Sequence, residues 1–330
     1  MSIRKKLPYL LIPIGLAVFV LLGYGWYRVD LLPTEASDFN ANFILPKGES
    51  PSTTAHRLEQ AHLIKSSTVF LVYLTVHGLR GKVQSGDYAL STAYSTEEII
   101  DVLTNGKVAT KRLTIPEGTT VKKIEQLAIA KGIKQEDFEA ALQAEYGKDF
   151  LLGRPPGVGL EGYLYPDSYD LPLNPDAKQL VGQMVDNFDK KVTPQLRTVY
   201  AAEGLTLHQA VTLASIVEKE VPSTSDRQIV AGIFLKRLQL GMPLESDVTV
   251  HYAADQLGVD FSTNLDSPYN TYKHAGLPPA PICNPGIGAL TAVATPTSSD
   301  YLYFLAGSDG NTHFAKTFAE HQQNIQKYLH

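Results

Sequence analysis

The chain of 330 residues is 44% apolar, enough to build one large core or two smaller ones. Its formal net charge of −5 offers no basic footprint, which excludes nucleic acid as a partner class. Cys283 is the single cysteine, so an internal disulfide and a cysteine-built metal cluster are both excluded.

Arg4, Lys5 and Lys6 precede residues 7–27, an uncharged and largely apolar run. As a helix at about 1.5 Å per residue the run would reach roughly 31 Å, the thickness of a bilayer's hydrocarbon core. The basic cluster predicts a cytoplasmic tail, 1–6, and Tyr24, Trp26 and Tyr27 sit where an outer aromatic belt belongs. A cleaved signal peptide is the alternative, but the run is long for one and has no clear small-x-small cleavage site. Residues 28–41, with Pro33, Glu35, Ser37 and Asp38, read as a short polar linker.

A small domain opens with the strand-like Phe43-Ile-Leu45, then Pro46 and Gly48, then Ser/Thr caps and a helix-compatible stretch. About 70 residues later Leu113-Thr-Ile-Pro-Glu-Gly-Thr-Thr120 repeats this arrangement, with Pro116 matching Pro46 and Gly118 matching Gly48. The second copy's helix, 121–130, carries Ile124, Leu127 and Ala128 on one face, where the first has Thr54 and Arg57 in place of Ile124 and Leu127. Between the copies, 68–76 is an apolar run that suits a buried helix or strand. A turn at Gly86-Asp-Tyr88 leads to a strand, and 96–103 is a short helix stopped by Asn105-Gly106.

Gly157-Val-Gly-Leu-Glu-Gly162 has the G-x-G-x-x-G form of a dinucleotide site, but Pro155 and Pro156 occupy the required strand and Tyr163-Leu-Tyr-Pro166 the required helix. The stretch reads instead as a glycine-rich turn presenting Glu161, Tyr163, Tyr165 and Tyr169, either to a sugar or into a core. Residues 178–200 read as one helix, with Leu180, Met184, Phe188 and Val192 at core spacing.

Residues 206–221 form the most informative helix. Thr206 and Gln209 have the capping-box form, and Pro222 ends the helix at Val221. Ala210, Leu213, Val217 and Val221 make an apolar face, with Thr212, Ser215 and Lys219 opposite. Glu218 and Glu220 both border apolar residues, where burial would raise a carboxyl pKa towards that of a general acid. Periodicity does not choose between them.

Ser225 and Gln228 start a further helix, with Ile229, Ile233, Phe234 and Leu238 apolar and Gly241 as its stop. Residues 243–286 are rich in Pro, Gly, Asn, Asp and Tyr and read as long loops of the kind that build a cleft. Asp247, Thr249, Asn270 and Tyr272 are the polar groups expected to line it. A strand at Tyr301-Leu-Tyr-Phe-Leu305, a turn at Gly307–Gly310 and a helix over 317–329 close the chain, Thr317 and Glu320 having capping-box form. The nine histidines include no H-E-x-x-H pair and no G-x-S-x-G elbow occurs, so neither a metal, another cofactor nor a serine nucleophile is expected.

Leu213-Ala-Ser-Ile-Val-Glu-Lys-Glu220 resembles the signature of the YceG-like family of endolytic murein transglycosylases. Other stretches similar to that family follow the same order: Leu160-Glu-Gly-Tyr-Leu-Tyr-Pro-Asp-Ser-Tyr169, Leu244-Glu-Ser-Asp-Val-Thr249 and Ser267-Pro-Tyr-Asn-Thr-Tyr272. Gly276-Leu-Pro-Pro279, Asn284-Pro-Gly286 and His313-Phe-Ala-Lys-Thr-Phe-Ala-Glu-His321 complete the set. The resemblance implies that the first glutamate of the signature, Glu218, is the catalytic acid. It implies an α+β fold: a transmembrane helix at 7–27, a LysM-like subdomain at about 42–112 and a mixed α+β catalytic domain over 113–330. It further implies a single-pass inner-membrane enzyme with a periplasmic catalytic domain beside peptidoglycan synthases.

The implied reaction cuts the β-1,4 bond between N-acetylmuramic acid and N-acetylglucosamine in nascent glycan strands and closes a 1,6-anhydro ring, terminating elongation. A lysozyme-type muramidase and a membrane-anchored, peptidoglycan-binding scaffold that does not cut are the rival readings.

Overall fold

The computed structural model describes the backbone of residues 7–34, 40–106 and 110–329, and the side chains of these from residue 18 on, except that of residue 40. The expected cytoplasmic tail, 1–6, and part of the expected linker, 35–39, lie outside the described residues. The fold is mixed α+β, and the chain divides into two compact units: Met1–Lys111 with Asp170–Asn174, and Arg112–Tyr169 with Pro175–His330.

The first unit holds α1 (Leu7–Asp30), β1 (Asn40–Leu45), α2 (Pro51–Gln60), α3 (Ser67–Val76), β2 (Gly86–Ser91) and α4 (Thr96–Asn105). β1 and β2 pair antiparallel, with Asn40 opposite Ser91 and Leu45 opposite Gly86. Phe43, Leu58, Phe70, Tyr88, Leu90 and Ile99 meet in its core. The apolar run 68–76 is a helix because Ser66 caps it, accepting a bond from the Val69 N–H, and because Phe70 and Leu74 bury together. The polar residues of α2 also have partners. Thr54 and Arg57 both donate to the Glu49 carboxylate, and the Arg57 guanidinium lies over the Phe43 ring.

Among the described residues, no helix is long and apolar enough to cross a membrane. The expected linker is shorter than 28–41. α1 runs on to Asp30, and Leu31 is buried while its carbonyl accepts from the Thr96 N–H at 2.9 Å. Thr34 donates to the His62 and Thr92 carbonyls. Buried contacts, not polarity, decide the conformation here.

The second unit begins within β3 (Thr110–Thr114) and continues through α5 (Val121–Ile129), α6 (Gln135–Leu142) and α7 (Asp149–Leu152) to β4 (Ser168–Pro172). After it come α8 (Ala177–Lys191), α9 (Pro194–Ala202), α10 (Leu207–Glu220), α11 (Thr224–Gln239), α12 (Asp247–Leu257) and α13 (Ile287–Ala294). β5 (Tyr303–Ala306), β6 (Thr312–Ala315) and α14 (Phe318–Tyr328) close it, and strands pair two by two, β3 with β4 and β5 with β6.

The expected helix over 178–200 is two helices, because Pro194 forces Thr193 into an extended conformation and starts α9 at its first position. Residues 243–286 are not all loop. α12 lies inside them, its β-branched Val248-Thr-Val250 disguising a helix that tertiary burial of Thr249, Val250 and Ala253 enforces. At α14 the Thr317 side chain caps as expected, but the Glu320 carboxylate reaches the Lys316 N–H, one residue beyond the cap.

α10 packs against α9, α11, α12 and α13. It has the expected capping box and is buried on every side from Ala210 to Val217. Thr212 and Ser215, expected opposite the apolar face, are buried too. Thr212 donates to the His208 carbonyl, and Ser215 donates to the Thr212 carbonyl while accepting from the Ile282 N–H. A hydroxyl satisfied by its own helix can be buried at little cost.

Candidate active site

The last turn of α10 sends its two glutamates into different surroundings, as the roughly 200° between residues two apart on a helix requires. Glu220 lines a cavity of about 530 Å³ together with Asp247, Tyr272, Tyr303 and His321. Burial, reinforced by the charge of Asp247, pushes the Glu220 carboxyl up to about 7, against a hydrogen bond from the Ser246 hydroxyl. Ser246 stands at the N-cap of α12 yet makes no side-chain cap, because it spends its hydroxyl on Glu220. Asp247 is the first residue of α12, where the helix N-terminus favours negative charge. The Tyr272 hydroxyl donates to it at 2.8 Å, and burial pushes that phenol's pKa up.

Glu218 is clamped. Its side chain is 5% exposed, one oxygen accepting from Arg227 at 2.7 Å and the other from the Gly286 N–H at 3.0 Å. Burial raises its pKa, while the Gly286 bond and the Arg227 charge oppose the rise and Glu117 adds to it. The Glu117 carboxylate lies directly against Gly286, so a Cβ there would displace it. Gly118, at φ +74°, lets the turn that carries Glu117 pass close to Glu218 and Lys219.

The expected site residues therefore separate. Asp247 and Tyr272 come together, with Glu220 and not Glu218. Thr249 and Asn270 lie beneath them, fully buried: Thr249 donates to the Ser246 carbonyl and Asn270 to the Thr263 and Leu265 carbonyls. Tyr163 is a core residue whose ring is tilted against that of Phe188, its hydroxyl 3.1 Å from His208 Nδ1. Tyr165 is buried, and its hydroxyl accepts from the Ile287 N–H within electrostatic reach of Glu117 and Glu218.

Glu161 lines a separate cavity of about 430 Å³ with Tyr252 and Tyr269. Its carboxyl accepts from the Val121 N–H and from Asn284 Nδ2 and is hydrogen-bonded to Tyr252, yet burial pushes it up to about 8. Sequence reasoning missed Glu117, Arg227, Ser246 and Tyr252. The Pro116-Glu-Gly118 turn was visible as a repeat, but its meeting with α10 and α13 is tertiary.

The sequence profile of the YceG-like family matches residues 43–327. An endolytic murein transglycosylase of Streptococcus pneumoniae serotype 2 is 31% identical over 93% of this chain. The chain spans 62% of that relative's length. An endolytic murein transglycosylase of Bacillus subtilis is 33% identical over 89% of this chain and 86% of that protein. The crystal structure of a yceG-like protein from Listeria monocytogenes matches with a TM-score of 0.57 at 32% identity, covering 87% of this chain and 99% of that one.

Proposed function

This chain belongs to the YceG-like family, and we propose that it is a lytic transglycosylase that cleaves within peptidoglycan glycan strands and that Glu220 is its catalytic acid. The observation that carries the reading is a carboxyl group held near neutrality by burial and by Asp247, at the wall of an aromatic-lined cavity. A general acid must keep its proton at working pH and must face the substrate. The raised pKa of Glu220 and its place on the cavity wall support that role. Glu218, to which the resemblance pointed, has both carboxylate oxygens engaged, one by Arg227 and the other by the Gly286 N–H, so neither is turned to the cavity that Glu220 lines.

Glu220 protonates the glycosidic oxygen between N-acetylmuramic acid and N-acetylglucosamine, and the bond from that oxygen to the muramyl C1 breaks. The Asp247 carboxylate lies close enough to favour the positive charge that develops on the ring. The muramyl C6 hydroxyl then attacks C1, and its proton passes to the Glu220 carboxylate, restoring the acid and closing the 1,6-anhydro ring. Hydrolysis is the second reading. The Glu220–Asp247 pair favours it, because paired carboxyl groups are what a muramidase uses to activate water.

The remaining features extend the same reading. The apolar sequence of α1 supports a single-pass inner-membrane anchor with a cytoplasmic N-terminus and a periplasmic catalytic unit. The β1–α2–α3–β2 order of the first unit supports a LysM-like module on the same glycan. Termination of nascent strands beside peptidoglycan synthases fits such a placement.

Mass spectrometry of products released from sacculi by the wild type, Glu218→Gln and Glu220→Gln tests the assignment. Anhydro-muropeptides are expected from the wild type and, at a rate within about tenfold, from Glu218→Gln. Glu220→Gln should lose about 10²- to 10⁴-fold, the usual worth of a general acid. Loss confined to Glu218→Gln returns the role to Glu218. Reducing ends establish the hydrolase, and intact glycan from the wild type moves the non-cutting scaffold ahead.

A further inference from the structure

The acid proposed above is the last residue of α10, a position where a helix has no further turn to hold it and where its final carbonyls lack helical partners. One side chain compensates on both flanks. The Arg227 guanidinium donates through Nη2 to the Glu218 carboxylate at 2.7 Å and through Nε to the Val221 carbonyl at 3.0 Å. It therefore ties the chain two residues before Glu220 and one residue after it.

The fork is wedged as well as bonded. A Cβ at Gly288, in the first turn of α13, would stand 2.6 Å from Arg227 Nη1, so any larger residue there pushes against the guanidinium. The Gly286 N–H, which precedes the same helix, takes the second oxygen of Glu218. Arg227 sits in the first turn of α11, so three helices converge on the clamp.

We infer that Arg227 is a positioning residue whose fork, closed on Glu218 and Val221, fixes the rotation of the α10 terminus and so aims Glu220 at the bond it cleaves. The inference rests on the assignment of Glu220 as the acid. It gives the first glutamate of the signature a task that is not proton transfer. Lysine cannot replace Arg227 in this task, because an ammonium is a point donor and the two acceptors need a planar fork. A displacement of about 1 Å at a catalytic group can cost on the order of 10²-fold in rate.

Steady-state cleavage of soluble glycan strands by Arg227→Lys, Gly288→Ala and Glu220→Gln tests it. Arg227→Lys keeps the charge but not the fork, and Gly288→Ala keeps the arginine but pushes it aside. Both are expected to lower kcat by about 10- to 100-fold with KM within about twofold. Both should also move the alkaline limb of the kcat profile to lower pH, as Glu220 loses its fixed burial beside Asp247, Ser246 and Tyr272. A purely structural arginine would change melting temperature and active fraction but leave that limb in place. If either variant, folded by its melting curve, keeps the wild-type kcat and limb while Glu220→Gln is inactive, the positioning role is overturned and the acid stands. Should Glu220→Gln remain active, the acid assignment itself fails.

Discussion

At Glu220, burial and the charge of Asp247 act in the same direction, and both disfavour the carboxylate. The folded-state pKa of about 7 stands above the ordinary 4.5. The folded form therefore holds the proton more tightly than the unfolded chain between those two values. Stability linked to this group is fully present below about pH 4.5 and is lost as pH rises through 7. Glu220→Gln removes the linkage while its side-chain carbonyl can still accept from Ser246. The variant should equal the wild type near pH 4 and exceed it at pH 8 by up to about 3 kcal/mol, at about 1.4 kcal/mol per pKa unit. Urea unfolding at the two pH values measures the difference. A variant no more stable at pH 8 would mean that Glu220 is already ionised in the fold.

At the scale of elements, what holds the second unit's loops around α10 is one buried amide. Asn284 Oδ1 accepts from the Gly162 and Leu164 N–H groups, and its Nδ2 donates to the Thr119 carbonyl and to Glu161. The backbone of the same residue bonds Thr119 and Gly118. Three segments far apart in sequence, the 118–121 turn, the 161–164 turn and the approach to α13, are joined at this side chain. Asn284→Ala would leave buried donors and acceptors unpaired at about 1–3 kcal/mol each. A loss of about 3–5 kcal/mol is expected, visible as a lowered denaturant midpoint with unchanged slope. Asn284→Asp should fail similarly, since an aspartate cannot donate to Thr119 or Glu161. The motif Asn284-Pro-Gly286 was legible as a motif, as were the signature helix, its capping box and the two strand–turn–helix copies. Its purpose was not, because every partner of Asn284 is named by tertiary contact. The same limit hid the choice between Glu218 and Glu220, since periodicity shows that they diverge but not which one meets Arg227.

Over the whole molecule, local signals served best where one residue dictates the backbone, as at Gly106, whose left-handed conformation ends α4. They served worst where burial overrides composition. Residues 28–34 look like a linker by their polar and proline content, yet Leu31 is 5% exposed inside the first unit. Its carbonyl holds the Thr96 N–H at the start of α4, and Lys65 Nζ reaches the Val29 carbonyl. A protein beginning at residue 28 should therefore keep the first unit's full stability, whereas one beginning at residue 40 should lose it. Burying a leucine is worth about 1.5–3 kcal/mol, and the unpaired Thr96 N–H adds about 1 kcal/mol. Differential scanning calorimetry of 28–330 beside 40–330 should show the first unit's transition lowered by several degrees in the shorter protein and the second unit's unchanged. Leu31→Ala in the longer protein should reproduce most of the loss, which separates the leucine from the general effect of truncation. Identical transitions in all three would make 28–39 the free linker that its composition suggests.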